Sequence, residues 1–338
     1  MANCIHNRAE LDACTPGARF AQHFRYALIT KSYGSDAVTM DLVDQGVLTD
    51  LDIKLIYFLY STKVADADQL LERFPEYGNK EHLNDTLEFL TKKRMINYFV
   101  YVAPGEELMP ADAYRIYMFD FVGIQLLAHF YPSSEIWNWS ARSVKEPPEI
   151  IKRGLLMTDF RIAMETKLAT PLVQYDPYPL LFFGRFRLQP NASMVFSVTD
   201  KNGNHAEVPY LAISFTETDM ASSLYMHVTE MLGRYEEFYD RQAWKTYYKT
   251  APGIFITCST EEVAEFIKNL IRIQVEHEDR IRSGFIPKPD ETFTKRVRIT
   301  YKQRFASDLE TSMEKYDHEK NEWVRVRMPM LKESAKEE

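Results

Sequence analysis

Glu217 and Asp219 stand two residues apart, directly after the apolar run Pro209–Phe215. A short apolar run of that length predicts a buried sheet strand, so the two acids fall at a strand end. Paired carboxylates at a strand end, facing an earlier polar strand, are what a metal-dependent nuclease needs. Their oxygens hold a hard cation such as Mg²⁺, which activates water and stabilises charge on the phosphate. The same pair also fits a plainer role as ordinary strand-end acids. Glu207 and Asp200 lie near in sequence and are further acids able to substitute.

The elements that must position this pair begin at Phe186. RFRLQPNASMVFS predicts one strand leading into a second, and Asn202, Gly203 and Asn204 predict a hairpin turn after it. Behind the acids, Leu224, Val228, Met231, Leu232 and Tyr235 recur at helical spacing. Upstream, EIIKRGLLMTDFRIAMETKL reads as an amphipathic helix with Ile151, Leu155, Phe160 and Met164 among its apolar positions, followed by a Pro/Tyr-rich connector, TPLVQYDPYP. Downstream, APGIFITCS is a short apolar strand behind Pro252–Gly253. TEEVAEFIKNLIRIQV is a helix with Thr260 as N-cap and acids in its first turn. Helix, hairpin, strand, helix, strand, helix is an α/β layout around a mixed sheet.

The preceding region has its own plan. LTDLDIKLIYFLYST opens with Thr49 as N-cap and Asp52 three residues on, a near capping box. VADADQLLERFP is a second helix, opened by Asp66. NKEHLNDTLEFLTKKRMI is a third, with Leu83, Leu87, Leu90 and Ile96 apolar. Two β-rich runs, NYFVYVAP and AYRIYMFDF, follow around a Pro/Gly loop (Pro104, Gly105, Pro110). Three helices and then a β-hairpin is the order of a winged helix, with the second and third helices as the helix-turn-helix. The third helix would offer Lys80, His82 and Asn84 to phosphates or base edges, opposed by Glu81 and Asp85. Lys92, Lys93 and Arg94 complement the helix dipole at its other end. DNA contact and protein contact both fit this surface. Before it, residues 1–45 read as a polar arm carrying Arg19, Arg25 and Lys31.

From about residue 276 a loop, SGFIPKPDETF, precedes the most basic region. TKRVRITYKQRF alternates basic and apolar residues, which places Arg296, Arg298 and Lys302 on one strand face. That face is either solvated or in contact with phosphates. SMEKYDHEKNEWVRVRM predicts a hairpin about His318–Asn321, and KESAKEE is a charged tail.

With 338 residues the chain can hold two domains. Its net charge of −8 denies it whole-molecule attraction to nucleic acid, so DNA binding has to come from local basic patches. The 3 cysteines, Cys4, Cys14 and Cys258, are too widely spaced for a metal-ligand motif and give no disulfide framework, which suits a reducing cytoplasm. No secretory leader and no run of roughly 18 apolar residues is seen, so no membrane partner is expected. Phosphate-binding glycine loops and a hydrolase elbow are absent.

Over roughly residues 46–275 the chain resembles the replication-relaxation family of plasmid and integrative-element proteins. The residues that carry the resemblance are LTDLD at 48–52, YRIYMFDFVGIQLLA at 114–128, IKRGLLMTDFRIAM at 151–164, Pro190–Asn191, the Glu217/Asp219 strand end, and Met231, Leu232 and Tyr235 on the helix behind it. The resemblance implies an N-terminal winged helix followed by a mixed-sheet restriction-endonuclease-like domain, here with C-terminal β-hairpins: α+β / α/β in class. It implies a role in replication or mobilisation through relaxation of DNA at an origin. Two positions depart from the family: its first acid is Asn191 here, and its helical lysine is Met231. Asn is a weaker ligand for a hard cation and Met carries no charge, so the scaffold is expected to be degenerate.

The expected organisation is an arm over 1–45, a winged-helix domain over 46–145, a degenerate nuclease-like domain over 146–275, a basic β-hairpin extension over 276–330 and a tail over 331–338. The expected function is non-catalytic DNA binding, with duplex DNA and a relaxase or replication protein as partners and no cofactor. A Mg²⁺-dependent nuclease with candidates Asn191, Glu217 and Asp219, Glu217 and Asp219 being the metal ligands, is the alternative. A protein-interaction adaptor that no longer binds DNA is another.

Overall fold

A computed structural model describes residues 4–15, 20–24, 36–105, 110–131, 146–168, 170–199, 205–220, 222–282 and 293–328. The predicted turn at Asn202–Asn204, the arm residues Arg19, Arg25 and Lys31, the acid Asp200, most of the loop after 282 and the charged tail lie outside them. The chain forms two compact units, Met1–Thr158 and Asp159–Glu338, with mixed α and β structure in both. No described helix is long and apolar enough to cross a membrane.

In the first unit, α1 (Arg8–Asp12), β1 (Ala21–Phe24) and α2 (Asp36–Asp44) precede α3 (Asp50–Thr62), β2 (Val64–Ala65), α4 (Ala67–Arg73) and α5 (Lys80–Lys92). β3 (Ile96–Val102), β4 (Ile116–Phe119) and α6 (Phe121–Phe130) follow. Helix starts obey the predicted chemistry. Thr49 and Asp52 form a full capping box on α3, and Asp66 and Gln69 form another on α4. Leu83, Leu87 and Leu90 turn the buried stripe of α5 inward. Ile96, expected as that helix's last apolar position, instead opens β3. The helix stops because Arg94 takes a left-handed backbone (φ 61°) and Met95 N–H bonds back to the Leu90 carbonyl.

β3 and β4 pair antiparallel, Ile96 opposite Phe119, in a sheet of order β1-β3-β4-β2. Among the described residues, the N-terminal segments around Ile5 and Ala21–Phe24 therefore belong to this sheet rather than to a separate arm. β1 pairs with β3, and Ile5 bridges the Tyr101 carbonyl and the Tyr114 amide. The reason is that the polar stretch contains apolar anchors: Ile5 and Leu11 are 3% and 0% exposed. At the other end of the sheet, Asp120 is buried. It accepts from the Arg94 guanidinium (3.2 Å) and the Phe121 amide (2.7 Å), and so couples the end of α5 to the start of α6.

Among the described residues of the second unit, the main sheet has seven strands. α7 (Pro148–Lys167) enters it from Asp159 onward, followed by β5 (Leu172–Pro177), β6 (Leu181–Phe183), β7 (Phe186–Leu188), β8 (Ala192–Thr199) and β9 (His205–Phe215). Then come α8 (Ser222–Asp240), β10 (Gly253–Cys258), α9 (Glu261–Arg282), α10 (Phe293–Arg296), β11 (Val297–Tyr301), α11 (Lys302–Ser307), β12 (Met313–Asp317) and β13 (Glu322–Val326). The order is β13-β12-β11-β10-β9-β8-β5, with β9, β10 and β11 parallel and the outer pairings antiparallel. One face packs Leu211, Ile213, Ile254, Ile256, Val297 and Ile299 with Val228, Leu232 and Tyr235 of α8 and Val263, Ile267 and Ile271 of α9. On the strands, Tyr210 stacks on Phe255 with centroids 4.2 Å apart. Gly253 permits this approach, since a Cβ there would lie 2.2 Å from the Tyr210 ring.

Three expectations change here. TPLVQYDPYP is not a connector; most of it is β5, an edge strand of the described sheet, where proline is tolerated at the strand's end. The region after 276 does not stand as a separate extension: β11 is an interior strand and β12–β13 complete the same sheet, with the predicted hairpin closing at Asp317 opposite Glu322. Finally, Arg296, Arg298 and Lys302 do not share a strand face. Only Arg298 lies on β11, because helical turns begin immediately before and after that five-residue strand.

Asp120 gives a direct check of the first unit. Asp120→Ala removes the carboxylate that pairs with the half-buried Arg94 and removes the α6 cap, and should cost roughly 1–3 kcal/mol in denaturant unfolding. Lys92→Ala, at an exposed pair, should cost under about 0.5 kcal/mol.

Candidate functional site

The carboxyl ends of β9, β10 and β11 align, with Phe215 opposite Cys258 and Cys258 opposite Tyr301. This is the edge of a parallel sheet where ligands most often bind. Asn191, Glu217 and Asp219 all come to it. Asn191 immediately precedes β8, whose first residue pairs with Ala212, so it faces the last residues of β9.

Their polar atoms, however, serve the backbone. Asn191 Oδ1 accepts from the Ser214 amide at 2.8 Å, its own amide donates to the Ala212 carbonyl, and its carbonyl accepts from Tyr178. It thereby extends the β8–β9 ladder. Asp219 is 2% exposed and closes the turn after β9. Its Oδ2 accepts from the Thr216 amide at 2.8 Å and from the Thr216 hydroxyl at 3.4 Å, while its amide donates back to the Thr216 carbonyl. Thr216 and Thr218 share a further hydroxyl contact at 2.7 Å. Glu217, one residue away, is exposed. The spacing that put two acids at a strand end thus directs one to solvent and one into its own turn. Glu207 cannot substitute: it sits near the opposite end of β9, roughly 25 Å from the acids at the strand's rise per residue, and is exposed. Met231 is partly buried against the core of the sheet.

A charged group that the sequence reading did not single out lies at the same edge. Lys268 on α9 is 6% exposed and bonds Glu265 Oε1 at 2.7 Å and the carboxylate of Glu314 on β12. Arg304 of α11 also bonds Glu314 and stands 3.9 Å from Glu261, which accepts from the Tyr301 hydroxyl at 3.1 Å. Burial pushes the Glu314 carboxyl up, but hydrogen bonds from Lys268 and Arg304 outweigh it and hold it below the usual range. Burial pushes the Cys258 thiol up, reinforced by Asp219 and opposed by Lys268. The signal for Lys268 was present in the sequence: it stands four residues after Ala264 and three before Ile271, on the buried stripe of α9.

The predicted DNA-contacting residues divide. Lys80, His82 and Asn84 are all exposed at the start of α5, where Asn79 caps the helix by accepting from the His82 amide at 2.9 Å. Lys80 is drawn to Asp68 of α4 at 2.6 Å, and His82 leans on Tyr77 with centroids 5.9 Å apart. In the second unit, Arg298 is half-buried and donates to the carbonyls of Lys295 and Val297, and Lys302 pairs with Asp159 at 2.8 Å. Arg296 is also half-buried.

Comparison with protein-family models, curated proteins and solved structures gives no match.

Two substitutions separate the roles at this edge. Asp219→Ala leaves the Thr216 amide unpaired and should cost roughly 1–3 kcal/mol, whereas Glu217→Ala should leave the unfolding midpoint unchanged. Glu314→Gln should cost roughly 3 kcal/mol at neutral pH. Because the folded-state pKa of Glu314 is depressed, its contribution is present above the ordinary value of 4.5 and is lost as pH falls below it. The variant's acid-unfolding profile should therefore be flatter there than that of the wild type.

Proposed function

We propose that the chain is a non-catalytic DNA-binding protein of the replication-relaxation type, acting at an origin of a plasmid or integrative element. In this reading the first unit is a winged helix and the second a restriction-endonuclease-like scaffold without a working metal site. The observation that carries it is the presentation of Lys80, His82 and Asn84, all exposed, on the first turns of α5. That helix follows α4 and precedes the β3–β4 pair, as the second helix of a helix-turn-helix would. Phosphates are attracted to a capped helix start with basic side chains. The non-catalytic half of the reading is supported by the use of Asn191 and Asp219 as backbone acceptors.

Asp68 restrains this surface in the free protein, because it competes with phosphate for Lys80. Duplex binding measured against salt should show Lys80→Ala weakening affinity and flattening the log–log slope by about 1. Asp68→Asn should strengthen binding, and Lys302→Ala, which loses a pair to Asp159, should change it less than Lys80→Ala does. Absence of duplex binding at low salt, even to an origin fragment, would sink the DNA-binding reading and favour a protein adaptor.

The nuclease alternative has one observation in its favour: Glu217 and Asp219 stand just past the carboxyl end of β9. Supercoiled origin plasmid incubated with Mg²⁺ or Mn²⁺ should stay intact. Nicking that disappears in Glu217→Ala would replace the non-catalytic reading.

A further inference from the structure

We propose that Cys4, His6 and Asp112 bind one divalent transition-metal ion, zinc being the best match to the donors. The argument begins with alternation. Residues 4–6 run extended beside β3, with Cys4 bridged to Val102 and the Ile5 amide donating to the Tyr101 carbonyl. In an extended segment, residues i and i+2 share a side. Ile5 therefore enters the core, at 3% exposure, while Cys4 and His6 point together the other way. The Tyr114 amide donates to the Ile5 carbonyl and brings the turn ending at Ala113 alongside, with Asp112 in it.

The three donor atoms lie within 4.8 Å of one another. Cys4 Sγ stands 3.7 Å from His6 Nδ1, and His6 Nδ1 stands 3.2 Å from Asp112 Oδ2. A tetrahedral zinc with bonds of about 2.3 Å to sulfur and about 2.0 Å to nitrogen and oxygen requires separations of about 3.5 Å and about 3.3 Å between these atoms. Two of the three edges are thus close to those of that tetrahedron, and the third, from Cys4 Sγ to the Asp112 carboxylate, is within 4.8 Å.

Sγ stands 3.7 Å from both Nδ1 and Nε2, so a metal bond at Nδ1, like a thiol–imidazole proton relay, requires the His6 ring to turn toward the sulfur. The donor set of one thiolate, one imidazole and one carboxylate suits zinc rather than Mg²⁺ or Ca²⁺. On binding, the Cys4 thiol gives its proton to solvent, and the two anionic ligands neutralise the ion. Cys4 is buried and Asp112 is exposed, so the fourth position faces water. The ion would pin the N-terminal segment to the loop between β3 and β4.

The test uses the full-length chain, stripped with a chelator under reducing conditions and titrated with Co²⁺ and then with competing Zn²⁺. The expected result is a thiolate-to-cobalt charge-transfer band saturating at one ion per chain and displaced by zinc. The band should vanish in Cys4→Ser and His6→Gln and persist in Cys14→Ser. Asp112→Asn, at an exposed position that does not threaten folding, should retain the native circular dichroism while cobalt binding weakens roughly tenfold or more. A folded wild-type chain without the band would overturn the proposal. So would a band that survives Cys4→Ser or His6→Gln, or binding unchanged in Asp112→Asn.

Discussion

A carboxylate buried at the end of a sheet strand has to find hydrogen-bond donors, and Asp219 finds them in its own turn. Its oxygen holds the Thr216 amide, so the chain reverses tightly after β9 and enters α8. Asn191 does the equivalent for β8, taking the Ser214 amide and extending the ladder by one residue. Unpaired, each of these buried groups would cost on the order of 1–3 kcal/mol. Both side chains that the strand end brings to this edge from β8 and the turn after β9 are bonded to backbone amides. The same sheet edge carries its charge in a different form: Lys268 and Arg304 share Glu314 between α9, β12 and α11, and Glu265 and Glu261 stand beside them as further carboxylates.

The first unit solves a related problem with Asp120. Burial favours its neutral form, while Arg94 and the Phe121 amide favour the charged one, and burial is the stronger influence. One side chain thus caps α6 and holds the Arg94 side chain that follows α5. At the opposite end of α5, Lys80, His82 and Asn84 are exposed, with Lys80 paired to Asp68. Asp66 plays a comparable part for α4: it caps the helix, accepts from the Tyr114 hydroxyl and stands 3.6 Å from Arg8.

Local signals in the sequence carried most of the element order. Thr49, Asp66 and Thr260 mark helix starts because capping is decided within four residues, and Pro209–Phe215 is recognisably a buried strand for the same local reason. Pairing over long distances was harder to read. Ile5 looks like a stray apolar residue in a polar leader until β3 arrives about a hundred positions later. β5 looks like a connector because its proline sits at a sheet edge. Arg296 and Lys302 seem to alternate with Arg298, but helical turns begin on both sides of the strand. At the strand end, spacing placed Glu217 and Asp219 after β9, and Asn191, which the resemblance singled out, lies beside the last residues of that strand. It could not tell that two of them would turn their oxygens to backbone amides, which depends on side-chain direction rather than on sequence distance.

Paramagnetic broadening by Mn²⁺ of the backbone amide signals from Ser214 to Met220 tests most directly whether this edge is structural. If Asn191 and Asp219 are committed to the Ser214 and Thr216 amides, those signals stay sharp as Mn²⁺ is added, and the Thr216 amide stays protected from hydrogen exchange. Selective, saturable broadening centred on Thr216 and Glu217 would show a working metal site and contradict the account.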